Sequence, residues 1–113
     1  MNKFLEQALL FDFYGELLTD HQKEIYEQFA LEDLSLSEIA EMKGISRQGV
    51  HDLVKRCDKT LAEYESKLKL VEKFHQTRRM VEEIRQLTGE YQKNQDMKLI
   101  QKIQQIAGEI IEL

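Results

Sequence analysis

Apolar side chains return at helical spacing along almost the whole of this chain. Between Phe4 and Leu18, 10 of 15 positions are apolar: Phe4, Leu5, Ala8, Leu9, Leu10, Phe11, Phe13, Tyr14, Leu17 and Leu18. A surface helix shows one apolar stripe and a polar back. This segment, read as a helix over residues 2–18, is apolar nearly all round and needs cover on more than one side. Either a second subunit or the chain's own C-terminal helices would supply it. Thr19-Asp20-His21-Gln22 then reads as a capping box, in which Thr19 and Gln22 satisfy each other's backbone N–H groups. The helix it opens buries Ile25, Tyr26, Phe29 and Ala30. Ser35-Leu36-Ser37-Glu38 is a second capping box, opening a short helix through Met42 that Gly44 ends. Ser46 caps the next helix. From Cys57 its apolar positions continue through Leu61, Tyr64, Leu68 and Val71 in alternating steps of four and three, a heptad seam that predicts one uninterrupted helix. Around Leu70 the seam changes face, to Leu70, Phe74, Val81 and Ile84. Gly89 and the polar residues 92–96 predict a turn. Asp96 caps a last helix carrying Leu99, Ile100, Ile103, Ile106, Ala107, Ile110 and Ile111.

The pattern predicts an all-α fold, and the composition agrees: 113 residues contain no proline and only 5 glycines, too few breakers for a loop-rich or all-β design. With 42% apolar and 33% charged residues the chain has the makeup of a globular protein. A helix-turn-helix domain over residues 1–66 and a C-terminal helical extension over 67–113, serving dimerisation or partner contact, are the expected divisions. The single cysteine, Cys57, has no internal partner, and no apolar run nears the roughly 18 residues of a membrane span. The opening residues, with Lys3, Glu6 and Asp12, have no leader pattern. A cytoplasmic protein without membrane contact is expected. Charge is uneven: residues 1–66 hold 7 Lys/Arg and 14 Asp/Glu, residues 67–113 hold 9 and 7, and the whole carries −5.

Function concentrates in residues 19–58. Two short helices joined by a tight turn, with Ala40, Gly44 and Val50 as fixed points, match a helix-turn-helix. Ala40 lets the second helix cross closely, Gly44 turns the chain, and Ile39, Ile45, Val50 and Leu53 are expected to lock the pair together. Arg47, Gln48, His51, Lys55 and Arg56 would then face outwards. Arg pairs bidentately with guanine, Gln with adenine, and Lys with phosphate. Ser46 starts the helix, where backbone N–H groups can meet a phosphate. With Asp52 on the same helix, the expected nucleic-acid-binding set is Ser46, Arg47, Gln48, His51, Asp52, Lys55 and Arg56.

The run LTDHQKEIYEQFALEDLSLSEIAEMKGISRQGVHDLVKR resembles the DNA-reading fourth region of bacterial sigma factors, in which a leucine-threonine start, an "LSxxEIA" helix and a "G[VI]SR" turn recur. With ALLFDFYGELLT before it and KTLAEYESKLKLVEKF after it, the chain resembles the YlxM family of small bacterial helix-turn-helix proteins over roughly residues 5–83, less so in the last helix. Genes of that family lie beside those of the signal recognition particle GTPase and its receptor. The resemblance therefore implies a regulatory part in that targeting pathway, with nucleic acid (DNA or RNA) or a signal recognition particle component as partner. Two positions depart from the sigma pattern: Lys43 stands where an apolar residue is usual, and Gly49 is expected to loosen the recognition helix.

Other chemistries fare poorly. Glu72-x-x-His75 is a single copy of a di-iron half-motif that needs two copies and two further glutamates. His51 and Cys57 fall on different helical faces, so a shared metal is not expected. Cys57 joins Val50, Leu53 and Val54 as packing. No phosphate-cradling glycine loop and no nucleophile–base set appears, so no cofactor, metal or enzymatic activity is expected. Lys73, His75, Arg78 and Arg79 are either a solvated helix face or an RNA-backbone contact. The apolar first helix and the Leu70, Phe74, Val81, Ile84 stripe together predict a two-fold homodimer. The acidic half that holds the motif leaves a second reading open, a protein-binding module that reads no nucleic acid.

Overall fold

The computed structural model describes residues 2–113. Among them are six α-helices and one 3-10 turn, with no strand: α1 (Lys3–Tyr14), the turn Gly15–Leu17, α2 (Asp20–Ala30), α3 (Leu36–Lys43), α4 (Arg47–Leu68), α5 (Leu70–Asn94) and α6 (Met97–Ile111). Among the described residues no helix is long and apolar enough to cross a membrane. The fold is all-α, with a helix-turn-helix formed by α3 and α4.

Local signals account for most of these boundaries. Asn2 Oδ1 accepts the Phe4 N–H at 2.8 Å and starts α1. Both capping boxes form. Gln22 N–H donates to Thr19 Oγ1 at 3.2 Å and Thr19 N–H to Gln22 Oε1 at 3.1 Å. Glu38 N–H donates to Ser35 Oγ at 3.1 Å and Ser35 N–H to Glu38 Oε1 at 3.0 Å. That backbone donor, with the Ser35 hydroxyl, holds the Glu38 carboxyl below its usual range. The first helix is shorter than the span over residues 2–18 predicted from its apolar run. It stops at Tyr14 and tightens into the 3-10 turn, where Gly15 is buried under the Phe11 ring. A Cβ at Gly15 would sit 2.9 Å from that ring, so only glycine fits. Nor is α1 covered all round within the chain: Phe11 and Tyr14 are buried, whereas Phe4 and Leu5 are more than half exposed.

The chain divides into two compact units, one ending at Val71 and the other Glu72–Leu113. The first has a continuous core in which Ile25, Tyr26, Ile39, Val50, Cys57 and Leu61 are completely buried. Phe11 stacks on Tyr26 and Tyr14 on Tyr64, with centroids 5.8 and 6.1 Å apart. Two donors of this core converge on Asp58: its Oδ1 accepts from the Tyr26 hydroxyl at 2.5 Å and from Gln7 Nε2 at 3.1 Å. Burial first, then the Asp58 carboxylate, pushes the Tyr26 hydroxyl well above its usual range, so it stays a donor.

The predicted uninterrupted helix is in fact two. Lys69 adopts φ 56° and separates α4 from α5 with no glycine or proline present. A left-handed residue with a side chain costs roughly 1–2 kcal/mol, and distant side chains supply the compensation. The Tyr14 hydroxyl donates to Glu65 Oε1 at 2.6 Å and accepts the Leu70 N–H at 3.1 Å; Glu65 Oε1 also accepts the Val71 N–H at 3.0 Å. Tyr14 and Glu65 thus satisfy the first free donors of α5, the role that a local cap usually fills. Burial and Glu65 push the Tyr14 hydroxyl above its ordinary range, which keeps the proton on it.

In the second unit, Leu87, Leu99 and Ile106 are buried, with Met80, Ile84, Tyr91, Ile103 and Ile110 packed around them. The α5 seam therefore runs through Met80, Ile84, Leu87 and Tyr91. Of the predicted stripe Ile84 belongs to it, while Leu70 and Val81 are exposed. Gly89 is no turn; it lies inside α5, between Leu87 and Tyr91, whose packing against α6 outweighs the roughly 1 kcal/mol that glycine costs a helix. The chain reverses at Gln95, with φ 54°, and Asp96 Oδ1 caps α6 by accepting the Lys98 N–H at 2.9 Å.

Candidate nucleic-acid interface

The helix-turn-helix is assembled from the inside out. Gly44 has φ 67°, the left-handed conformation that ends α3; a Cβ there would meet nothing, so backbone conformation alone selects glycine. The Ile45 N–H returns to the Ala40 carbonyl at 3.1 Å, closing the turn over a buried Ala40. Ile39 and Val50 lock the helices and Leu53 packs at their edge. Ile45 does not join them: it is 37% exposed, because the turn carries it away from the core.

Both departures from the sigma pattern are explained. Lys43 lies along the surface with its stem covered and its ammonium paired to Glu24 of α2, and this pairing holds the Glu24 carboxyl below its usual range. Lys43 thereby ties the motif to the preceding helix. Gly49 leaves α4 regular rather than loosening it. The Ser46 hydroxyl accepts the Gly49 N–H at 2.9 Å, and a Cβ at Gly49 would lie 3.1 Å from that oxygen. Glycine makes room for the cap.

Ser46, Arg47, Gln48, Asp52, Lys55 and Arg56 are exposed, and His51 is partly so. The core side of α4 is Val50, Val54, Cys57 and Leu61. At 3.6 residues per turn, the opposite side is the line Gln48, Asp52, Lys55 and Lys59. Lys59 is an exposed addition to the expected set; its spacing from Lys55 was the signal that could have found it. Asp52 organises its neighbours: Oδ1 accepts from Gln48 Nε2 at 2.9 Å and lies 3.5 Å from His51 Nδ1. These two contacts, Gln48 first, hold the Asp52 carboxyl below its usual range. Gln48 is therefore held with its amide nitrogen turned to Asp52, and its oxygen is left for an outside donor. The Ser46 hydroxyl is committed to its cap.

Cys57 is completely buried, and burial, reinforced by Asp58, pushes its thiol up to about 11, so it behaves as packing. Among the described residues no three His, Cys, Asp or Glu side chains gather as metal ligands.

A short helix, a left-handed glycine turn and a second helix with a polar outer line define a helix-turn-helix protein. Comparison with known proteins agrees: residues 1–106 match the UPF0122 family, described as "Putative helix-turn-helix protein, YlxM / p13 like". The chain belongs to that family, and the match reaches into α6, beyond the residues 5–83 of the sequence resemblance. It is similar to a UPF0122 protein of Thermoanaerobacter pseudethanolicus, 42% identical over 111 residues, covering 97% of this chain and 95% of the relative. A UPF0122 protein of Caldanaerobacter subterraneus is 51% identical over 83 residues, 74% of this chain and 71% of the relative. One of Bacillus thuringiensis is 43% identical over 101 residues, covering 88% and 92%.

Proposed function

We propose that the protein is a nucleic-acid-binding regulator of the bacterial cytoplasm, acting in the signal recognition particle pathway, with α4 as its reading helix. The observation that carries this reading is that Arg47, Gln48, Lys55 and Arg56 of α4 are exposed and have no part in the core, with Gln48 and Lys55 on its outer line. The pathway is supported by the YlxM resemblance alone. DNA and RNA both fit the chemistry of that face. The surrounding domain is acidic, so few phosphate contacts work against many carboxylates and binding is weak. Each such contact adds about −0.9 to the slope of log K against log salt. Exposed Phe4, Leu5 and Ile111 support a homodimer through the N- and C-terminal helices; light scattering that gives a monomer mass at all concentrations refutes it.

Fluorescence anisotropy with duplex DNA and with RNA, at about 50 mM salt, tests the reading. Arg47→Ala with Lys55→Ala should lower affinity at least tenfold without changing the helical circular dichroism. Full affinity in the double variant would show that the face is misassigned, and no binding by the wild type would remove the reading. The seven excess negative charges of residues 1–66 favour a second reading, a module that binds a signal recognition particle component. A protein partner retained from cytosol after nuclease treatment, and indifferent to the double substitution, would favour it.

A further inference from the structure

Helix α6 has two uncharged sides, and α5 covers one of them. Leu99, Ile103, Ile106 and Ile110 pack in the core shared with α5. Met97, Gln101, Gln104, Gly108 and Ile111 form a second line in steps of four, three, four and three, the heptad spacing of a helix–helix seam. All five are exposed, Met97 to 62% and Ile111 to 81%. The charges of this segment, Lys98, Lys102, Glu109 and Glu112, fall on a third side, so the second line carries none. Nothing among the described residues calls for a glycine at 108. It lies inside α6, where glycine costs roughly 1 kcal/mol, its φ is not positive, and a Cβ there would meet nothing within 4 Å.

The second line is also its own complement. A two-fold axis through Gln104, with two copies of α6 antiparallel, sets residues equally far before and after Gln104 face to face. Met97 then meets Ile111, Ile100 meets Gly108, and Gln101 meets Ala107. The two Gln104 amides meet each other, and each can donate to the other's oxygen. Glycine at 108 leaves the room that Ile100 needs. Lys98 and Glu112 are exposed on one edge of the line, and the axis brings each Lys98 within about half a turn of the other copy's Glu112. We propose that this face of α6 docks on the same face of a second copy, antiparallel about Gln104. The proposal rests on the homodimer reading above and names the α6 surface that makes the contact. A partner of unrelated sequence has no cause to mirror this line, whereas a second copy does so by symmetry.

Sedimentation equilibrium of the full chain without nucleic acid, from about 1 to 500 µM, tests it. A monomer–dimer equilibrium with a Kd of about 10–100 µM is expected, because one helix pair is smaller than a standard interface. Met97→Glu and Ile111→Lys change exposed residues at the two ends of α6, and each charge suits the helix dipole, so folding is kept. Each alone should weaken the dimer roughly tenfold by setting a charge against an apolar side chain. Combined in one chain they face each other across the axis and should recover most of the loss. Within one helix the two positions are about 21 Å apart and cannot pair. Gly108→Leu has room in the monomer and should also weaken the dimer roughly tenfold. A dimer indifferent to Gly108→Leu and to both single charges, or a double variant no tighter than the single ones, would overturn this surface and leave the homodimer standing. A monomer at every concentration would overturn both.

Discussion

The two units are built from similar helices but are held together differently. Among the described residues the first buries twelve side chains in one cluster and braces them with partly buried hydrogen bonds to Asp58 and Glu65. The second, a hairpin of two long helices, buries three. Hydrophobic stabilisation scales with apolar area removed from water, so the first unit has a self-sufficient core and the hairpin a marginal one. Helix length is therefore a poor guide to stability: α5 is the longest helix, and most of it lies in the weaker unit.

The contrast can be broken most directly at its centre. Ile39→Ala removes a completely buried side chain at the helix-turn-helix crossing and should cost about 2–5 kcal/mol, unfolding the first unit in urea at a much lower midpoint. Ile106→Ala should instead release the hairpin while the first unit keeps its transition, which native-state hydrogen exchange will resolve. A single joint transition for both variants would erase the distinction between the units. Cys57 reports on the same core. With its thiol near 11, roughly 0.1% is thiolate at pH 8 against about 25% for a free cysteine, so alkylation should slow at least a hundredfold until the unit unfolds. The sign for stability follows. The unfolded thiol ionises first as pH rises, so this contribution is present below about pH 8.5 and declines above it.

Smaller changes sharpen the comparison at the junction and the caps. Tyr14→Phe leaves the Leu70 N–H without its acceptor and removes the hydroxyl donor to Glu65, and should cost about 1–3 kcal/mol, with faster exchange of the Leu70 and Val71 amides. Ser35→Ala removes one cap from the first unit and should cost about 1 kcal/mol in urea denaturation. Asp96→Ala removes the equivalent from the hairpin, and its effect should be confined to exchange in α6.

Signals that act within one helical turn were legible in the chain itself. Thr19 with Gln22 and Ser35 with Glu38 specify two helix starts because each pair satisfies N–H groups only three residues away. Gly44 specifies the turn because a side chain disfavours its positive φ, and Ser46 and Asp96 act through their own neighbours. The outer face of α4, and so the candidate site, followed from periodicity once Ile39 and Val50 were placed inside. What the tertiary structure decided lies at longer range. The break at Lys69 has no local breaker, and the heptad spacing there favours continuation; it exists because Tyr14, 56 residues before Leu70, takes up that residue's N–H. Glycine at 15 answers to the Phe11 ring, glycine at 89 is overruled by packing on α6, and Ile45 is left exposed by the path of the turn. Periodicity states which side of a helix is apolar, but which part of that side is covered depends on where a neighbouring helix comes to lie, and only packing settles that.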